Sequence, residues 1–440
     1  MSFIIDRQTL TDLGIMSVAH GKAVVSLFGP ARTAAGDAKL REMISTPLDN
    51  HVRISSRASL IEYFAGNNTE FPFEGEWFDT AHAYLAEEDS RQRSSLTGGA
   101  GFRAWLARLM KADTGYVAVL AGARSVARIA RASLGFLRGL SSDSRLTGLW
   151  PALPDMLKIS EELCAVFPEG ERWSFSKLVS TDAALHGALA DRALKLMDFL
   201  SSTDAYISVA EASQKLGFHR AEVVDDGLDT LEIKALRHPL LKAGVPNDIH
   251  LGAEKGNVLF LTGANMAGKS TLMKALGIAV YLAHVGFPVP AESMKLSMRD
   301  GICTAINLPD DISRGYSHFY SEVRRLKRVA MLAGAGRRML IIFDELFRGT
   351  NVKDAYDGTL EVVKRFARIP SSIFLVSTHI VEVADALKKD SGNISYCYLP
   401  TVMNGNKPEY TYKLAEGVSS DRHGRLIIRN EGLLDILKSK

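Results

Sequence analysis

The chain has 440 residues, of which 46% are apolar, 8% aromatic and 23% charged, with a net charge of +3. These globular proportions exclude a collagen-like or extensively disordered chain, and the charge is too small to name a partner. Without a run of eighteen apolar residues no membrane span or membrane partner is expected, and three scattered cysteines exclude a disulfide framework and fit a reducing, cytoplasmic setting.

In chain order, the start MSFIIDRQTL lacks the basic-then-apolar pattern of a secretory signal. Residues 1–235 are helical in character. Leu178, Leu185, Leu189, Leu194, Met197 and Leu200 recur at helical spacing, and β-branched runs are few. Within this part, Arg91, Arg93, Arg103, Arg108, Lys111, Arg124, Arg128, Arg131, Arg138 and Arg145 face only Asp113 and Asp143 over residues 90–145. On a helix Arg124, Arg128 and Arg131 share a side. That stripe reads either as a phosphate-contacting surface or as a solvated helix face paired with acids such as Glu87, Glu88 and Asp89.

From residue 236 the pattern changes. VLFLTG (258–263), MLIIFD (339–344) and SIFLVSTH (372–379) are β-rich runs, each followed by a helical stretch. Strand, turn and helix in repetition predict a mostly parallel sheet with crossover helices. ISYCYLP (394–400) and EYTYKL (409–414) flank NGNK and read as an antiparallel edge hairpin. GRLIIRNEGLLDILKSK reads as one or two short helices. The expected fold class is therefore an α/β nucleotide-binding domain over 236–440, preceded by an all-α domain over 1–235.

The sharpest motif is Gly263-Ala264-Asn265-Met266-Ala267-Gly268-Lys269-Ser270, a full G-x-x-x-x-G-K-[ST] between a strand and a helix. Glycines let successive amides point at phosphate oxygens, and the helix start adds partial positive charge. Lys269 is placed to reach the β- and γ-phosphates of ATP, and the Ser270 hydroxyl to ligate Mg²⁺. The run Met339–Phe343 ends in Asp344 and Glu345, at the strand tip where open α/β sheets bind ligands. Asp344 suits the Mg²⁺ shell, and Glu345 suits a general base toward water. His379, at the end of another β-run, could contact the γ-phosphate or orient that water. A lone histidine can equally be structural.

Together these residues resemble the MutS family of DNA mismatch repair ATPases. GANMAGKS matches that family's loop, with its internal asparagine and methionine. RHPLL (237–241), VPNDI (245–249), ISRGYSHFYSEV (312–323), DELFRGTN (344–351), STH (377–379) and YTYKLAEGVSSDRHG (410–424) are similar to its further ATPase motifs. DRQTLTDLGI (6–15), residues 31–64 and LMDFLSSTDAYISVAEASQKLGF (196–218) resemble its core and lever segments. Three positions depart from the pattern: Ala264 stands where proline is usual, Gly244 where an aromatic stacks on adenine, and Ala305 near a usual arginine. A core motif within the first fifteen residues leads us to expect a short form without mismatch-reading or connector domains. Phe71-Pro72-Phe73-Glu74 then looks like a reader's wedge only by chance.

The resemblance implies an ABC-like ATPase, an α/β P-loop fold with a C-terminal dimerisation segment, working as a homodimer. Pro246, Asn247 and Thr271 would join the loop in holding ATP. Ser317 would cap a helix beginning at His318 and touch the γ-phosphate bound by the other copy. ATP would then bridge two heads, and hydrolysis would release the levers. The implied partner is DNA, whether duplex, mismatched or branched, and deformed DNA is the expected preference because no mismatch reader is visible. Two other readings stay open: an ABC-like ATPase acting on a ribosome or protein partner, and a nucleotide-gated scaffold with negligible turnover. The intact Asp344-Glu345 pair argues against the scaffold.

Overall fold

The computed structural model describes residues 2–18, 21–86, 113–167, 173–225, 227, 229–306, 318–389, 392–404 and 407–419. Arg91, Arg93, Arg103, Arg108, Lys111, Ser317 and the stretch expected to form terminal helices lie outside them. Packing divides the chain into two units. One comprises Met1–Val25, Thr46–Ala58 and Lys215–Lys440, the other Ser26–Ser45 and Ser59–Gln214. This division is discontinuous, whereas the sequence suggested one cut at 235.

Among the described residues up to 216 the α-helices are α1 (Arg7–Asp12), α2 (Ala34–Ser45), α3 (His51–Asn67), α4 (Gly75–Ala86), α5 (Asp113–Ser141), α6 (Ser144–Leu149), α7 (Leu153–Val166), α8 (Phe175–His186) and α9 (Ala190–Leu216). Local chemistry sets their starts. Asp143 accepts the Arg145 amide at α6, Ser174 accepts the Lys177 amide at α8, and Pro154 occupies the first turn of α7. In the second unit α4 and α7 pack on α5, whose buried side carries Val126, Ile129 and Leu137. Of the predicted apolar series, Leu178, Leu185, Leu189, Met197 and Leu200 are buried. Asp204 is buried in α9 and accepts the amides of Arg32 (3.1 Å) and Thr33 (2.8 Å) ahead of α2. Burial alone pushes its carboxyl above the usual range, over the lowering effect of these bonds.

The first unit holds two main sheets. A four-stranded sheet has the order β1-β5-β2-β3, from β1 (Ala221–Val224), β2 (Thr230–Leu236), β3 (Asn247–Gly252) and β5 (Ser293–Ser297). The sequence reading missed it, although buried and exposed residues alternate along β2 and β3 as a half-covered sheet requires. A six-stranded sheet has the order β12-β9-β4-β8-β7-β6. Its strands are β4 (Val258–Gly263), β6 (Gly301–Ala305), β7 (Met339–Phe343), β8 (Ile373–Ser377), β9 (Ile394–Leu399) and β12 (Ala415–Glu416). All neighbours are parallel except β12 with β9.

Helices α10 (Lys269–Val285), α11 (His318–Gly334), α12 (Val352–Phe366) and α13 (Glu382–Leu387) connect these strands. Every residue of β7 and β8 is buried, as strands covered on both faces must be. Met339, Ile341 and Phe343 join one core with Val329 of α11 and Val363 of α12. The β6 edge is covered too: Ile4 bridges it at Gly301 in parallel fashion, and Asp12 accepts the Thr304 hydroxyl (2.7 Å) and the Ile306 amide (3.1 Å).

One expectation is corrected. ISYCYLP is not the hairpin's first strand and meets EYTYKL at Pro400, whose carbonyl accepts the Thr411 amide (3.3 Å) and hydroxyl (2.9 Å). Its strand β9 enters the large sheet beside β4, and the antiparallel hairpin is formed by β10 (Thr401–Asn404) and β11 (Lys407–Tyr410). The chain leaves the sheet at Pro400, which has no amide to continue a ladder.

Candidate nucleotide site

The sheet order sets β4 beside β8 and β8 beside β7, with Leu261 opposite Ser377 and Phe343 opposite Val376. Three parallel strand ends therefore open on one spot. From β4 the chain turns through residues 264–268 into α10. Gly263 (φ 138°), Met266 (φ 68°) and Gly268 (φ 101°) take left-handed backbone, which glycine adopts without strain. At Gly268 a Cβ would also press on the Tyr412 ring, at 3.1 Å. Lys269 is 6% exposed. Its Nζ donates to the carbonyls of Gly263 (2.9 Å) and Ala264 (3.1 Å). Burial holds this ammonium below the usual lysine range, against the pull of Asp344 and Glu345. Asn265 and Met266 are exposed and Ala267 is buried.

Opposite the loop, the Ser270 hydroxyl donates to Asp344 Oδ2 and the Ser377 hydroxyl to Asp344 Oδ1, each at 2.5 Å. One carboxylate thus ties the helix start to the ends of β7 and β8. The Glu345 amide donates to Ser377 Oγ (3.1 Å) and to the Ser377 carbonyl (3.2 Å). His379 Nε2 donates to Glu345 Oε1 at 2.5 Å, and Arg348 Nε stands 3.8 Å from Oε2. The His379 hydrogen bond, helped by the charges of His379, Arg348 and Lys269, holds the Glu345 carboxyl below its usual range despite partial burial. The result is a half-buried, ionised carboxylate beside an imidazole.

A cavity of about 240 Å³ adjoins the loop, walled by His238, Gly244, Asn247, Thr271, Leu399 and Tyr412 among others. Asn247 organises one wall. Its amide group donates to the carbonyls of Val245 (3.1 Å) and Tyr412 (3.0 Å), and its oxygen accepts the Leu414 amide (2.6 Å). Lys413 Nζ donates to the Pro246 carbonyl (2.6 Å). These bonds fasten 245–247 to 412–414 and hold Tyr412, 46% exposed, against Gly268. Burial, aided by the charge of Lys274, pushes His238 down to about 4, so it is neutral at neutral pH. Tyr412, His238 and Ser377 were not singled out from sequence. An aromatic at the centre of YTYKL, in a chain with Gly244 at the usual stacking position, was the available signal.

The Ser270–Asp344 pair offers hard oxygen donors. Among the described residues no group of three or more His, Cys, Asp or Glu could hold a metal. One carboxylate and one hydroxyl fit Mg²⁺, which completes its shell with phosphates and water rather than with a protein cage. On the predicted basic stripe, Arg138 pairs with Glu161 (3.0 Å) and Arg128 lies over the Trp77 ring (5.2 Å). Both side chains keep exposed surface. No helix among the described residues is long and apolar enough to cross a membrane.

Fold and site define a class: an α/β domain with a glycine loop facing a carboxylate-bearing strand end, after a helical unit. Residues 259–435 match the family model for MutS domain V. The chain is similar to the DNA mismatch repair protein MutS of Acetivibrio thermocellus, 30% identical over 242 residues, covering 54% of this chain and 27% of that one. To MutS of Anaeromyxobacter dehalogenans it is 31% identical over 261 residues, 56% of this chain and 29% of that one. To the DNA mismatch repair protein MSH6 of Arabidopsis thaliana it is 31% identical over 316 residues, 67% and 23%. Residues 259–435 thus form a domain of the MutS family. The chain spans less than a third of the length of these relatives.

Proposed function

We propose that this chain is a MutS-type ATPase that binds DNA in mismatch repair or recombination, using ATP binding and hydrolysis at a homodimer interface to move its helical levers. The observation that carries the reading is the convergence of Lys269, Ser270, Asp344, Glu345 and His379 at three adjacent strand ends. The loop from Gly263 to Ser270 receives the triphosphate, and its amides and Lys269 offset the phosphate charge. Ser270 and Asp344 would hold Mg²⁺, which would supply further charge neutralisation at the phosphates. Glu345, kept ionised by His379, accepts the proton of the attacking water. The base enters the cavity at Gly244, where Tyr412 takes the stacking role and Asn247 with Pro246 keeps that wall in place. Ser317 would contact the γ-phosphate held by a second copy, a role that comes from the resemblance alone. Arg124, Arg128 and Arg131 are the candidate DNA contacts, and their affinity for phosphates would fall steeply with salt.

Phosphate release from ATP by purified protein, with and without homoduplex, mismatched or four-way-junction DNA, tests the reading. Glu345→Gln is expected to bind ATP and accumulate as a closed dimer. Turnover by that variant at the wild-type rate removes the general-base role. Absence of salt-sensitive binding to every DNA removes the nucleic-acid role.

A further inference from the structure

The loop that carries the general-base candidate has an unusual backbone. Glu345 (φ 59°) and Phe347 (φ 62°) both take left-handed conformations. For a bulky side chain this is an outlier that persists only where the surroundings hold it. Glu345 is held by the Ser377 contacts on its amide. Phe347 is held by its side chain: the ring is 6% exposed, its centroid lies 5.9 Å from that of Phe319 on α11, and it rests against Gly358 of α12. A Cβ on Gly358 would stand 2.8 Å from Phe347 Cε2 and 3.0 Å from Cδ2. Glycine inside a helix weakens it relative to alanine. Its presence at that point of α12 is explained by the notch it opens for the ring.

From this we infer that Phe347 is a positioning residue for ATP hydrolysis: a wedge seated between α11 and α12 that forces the 345–347 backbone into the form in which Glu345 meets His379. The inference rests on the reading of Glu345 as general base. The mechanism is geometric. One residue, Leu346, separates the wedge from the carboxylate, so a ring that leaves its seat lets φ at 347 relax, and the relaxation turns the Leu346–Phe347 peptide and shifts the chain at Glu345. The carboxylate then loses its fixed distance to His379. The ring's own contacts, with Phe319 and Gly358, include no residue of the glycine loop or of the base cavity, so nucleotide affinity should change little. The wedge also ties the carboxylate to α11 by direct packing, so any shift of α11 reaches the reacting end through Phe319 and Phe347.

Two variants test this from opposite sides. Phe347→Gly removes the ring and lets the backbone relax at no steric cost; because it also empties a core position, a thermal melt reads its folding alongside kcat. Gly358→Ala leaves position 347 untouched and improves α12 as a helix, yet pushes the ring from its notch. Both are expected to lower kcat, Phe347→Gly by on the order of 10²-fold, as a displacement of about 1 Å at a reacting group does. KM for ATP should stay unchanged, a split between kcat and KM that a general loss of structure would not give. Wild-type kcat in Phe347→Gly, or kcat and ATP affinity lost together in both variants, overturns the inference. Glu345→Gln assayed alongside separates the two levels. If it still hydrolyses ATP at the wild-type rate, the general-base reading fails and the wedge falls with it. If Glu345→Gln is inactive while Phe347→Gly is unimpaired, the wedge alone fails.

Discussion

The two loops that meet at this site solve the same backbone problem by different means. Residues 263–268 and residues 344–348 both contain left-handed positions. The first loop places glycine at two of its three such positions, Gly263 and Gly268. The second uses Glu345 and Phe347. A glycine turn needs no external support, so its amides can face a ligand with little packed around them. A turn built from side-chain-bearing residues must be braced, here by Ser377 on one flank and by α11 and α12 on the other. The binding loop is thus locally determined, and the hydrolytic loop is determined by its neighbours.

The comparison can be broken most severely at Lys269. Lys269→Ala removes the phosphate clamp, and kcat/KM for ATP should fall by about 10²–10³-fold in a phosphate-release assay. Next comes His379→Ala. Glu345 sits below the usual carboxylate range because His379 donates to it, so its ionised form persists as pH falls. Without that donor the value rises, and activity should be lost at a higher pH than in the wild type, with kcat reduced by about 10²-fold. An acid limb that does not move would show that the braced loop holds its carboxylate without help.

Tyr412→Ala sharpens the contrast from the binding side. Loss of a stacked ring is worth about 1–3 kcal/mol, so KM for ATP should rise while kcat changes little. An equal loss for inorganic triphosphate would show that Tyr412 does not meet the base. Gly268→Ala forces a Cβ onto φ 101° and onto the Tyr412 ring, and should lower stability by about 1–3 kcal/mol in thermal melts. The smallest effect is expected in the helical unit. Arg138 and Glu161 are well exposed, so Arg138→Ala should change stability by less than about 1 kcal/mol.

The same contrast explains what could be read from sequence. β4, β7 and β8 are continuous apolar runs ended by glycine, by Asp344-Glu345 and by Ser377, so their nature and the chemistry at their tips were visible locally. Lys269, Ser270, Asp344, Glu345 and His379 lie together in the fold; the loop motif pointed to the first two and the ends of β-rich runs to the others, with a structural role for His379 left open. The brace was not visible. Phe347, Phe319 and Gly358 come from three segments, and only packing shows that one ring fills one notch. The small sheet was less legible, because the short alternation of Leu231 and Ile233 with Glu232 and Lys234 is a weaker local signal than a continuous apolar run. The hairpin was misplaced because the β-rich run 394–399 gives no sign, by itself, of whether its partner is the next strand or a distant one.

The covering of β6 by the first residues of the chain carries a practical consequence. Ile4 and α1 belong to the same unit as the nucleotide site, although more than two hundred residues separate them from it in sequence. A fragment begun at residue 215, which keeps the four-stranded sheet, would expose the amides of β6 as an open template and leave Thr304 and Ile306 without their carboxylate. Such a fragment should self-associate on expression, and supplying residues 1–25 as a separate peptide should restore its solubility.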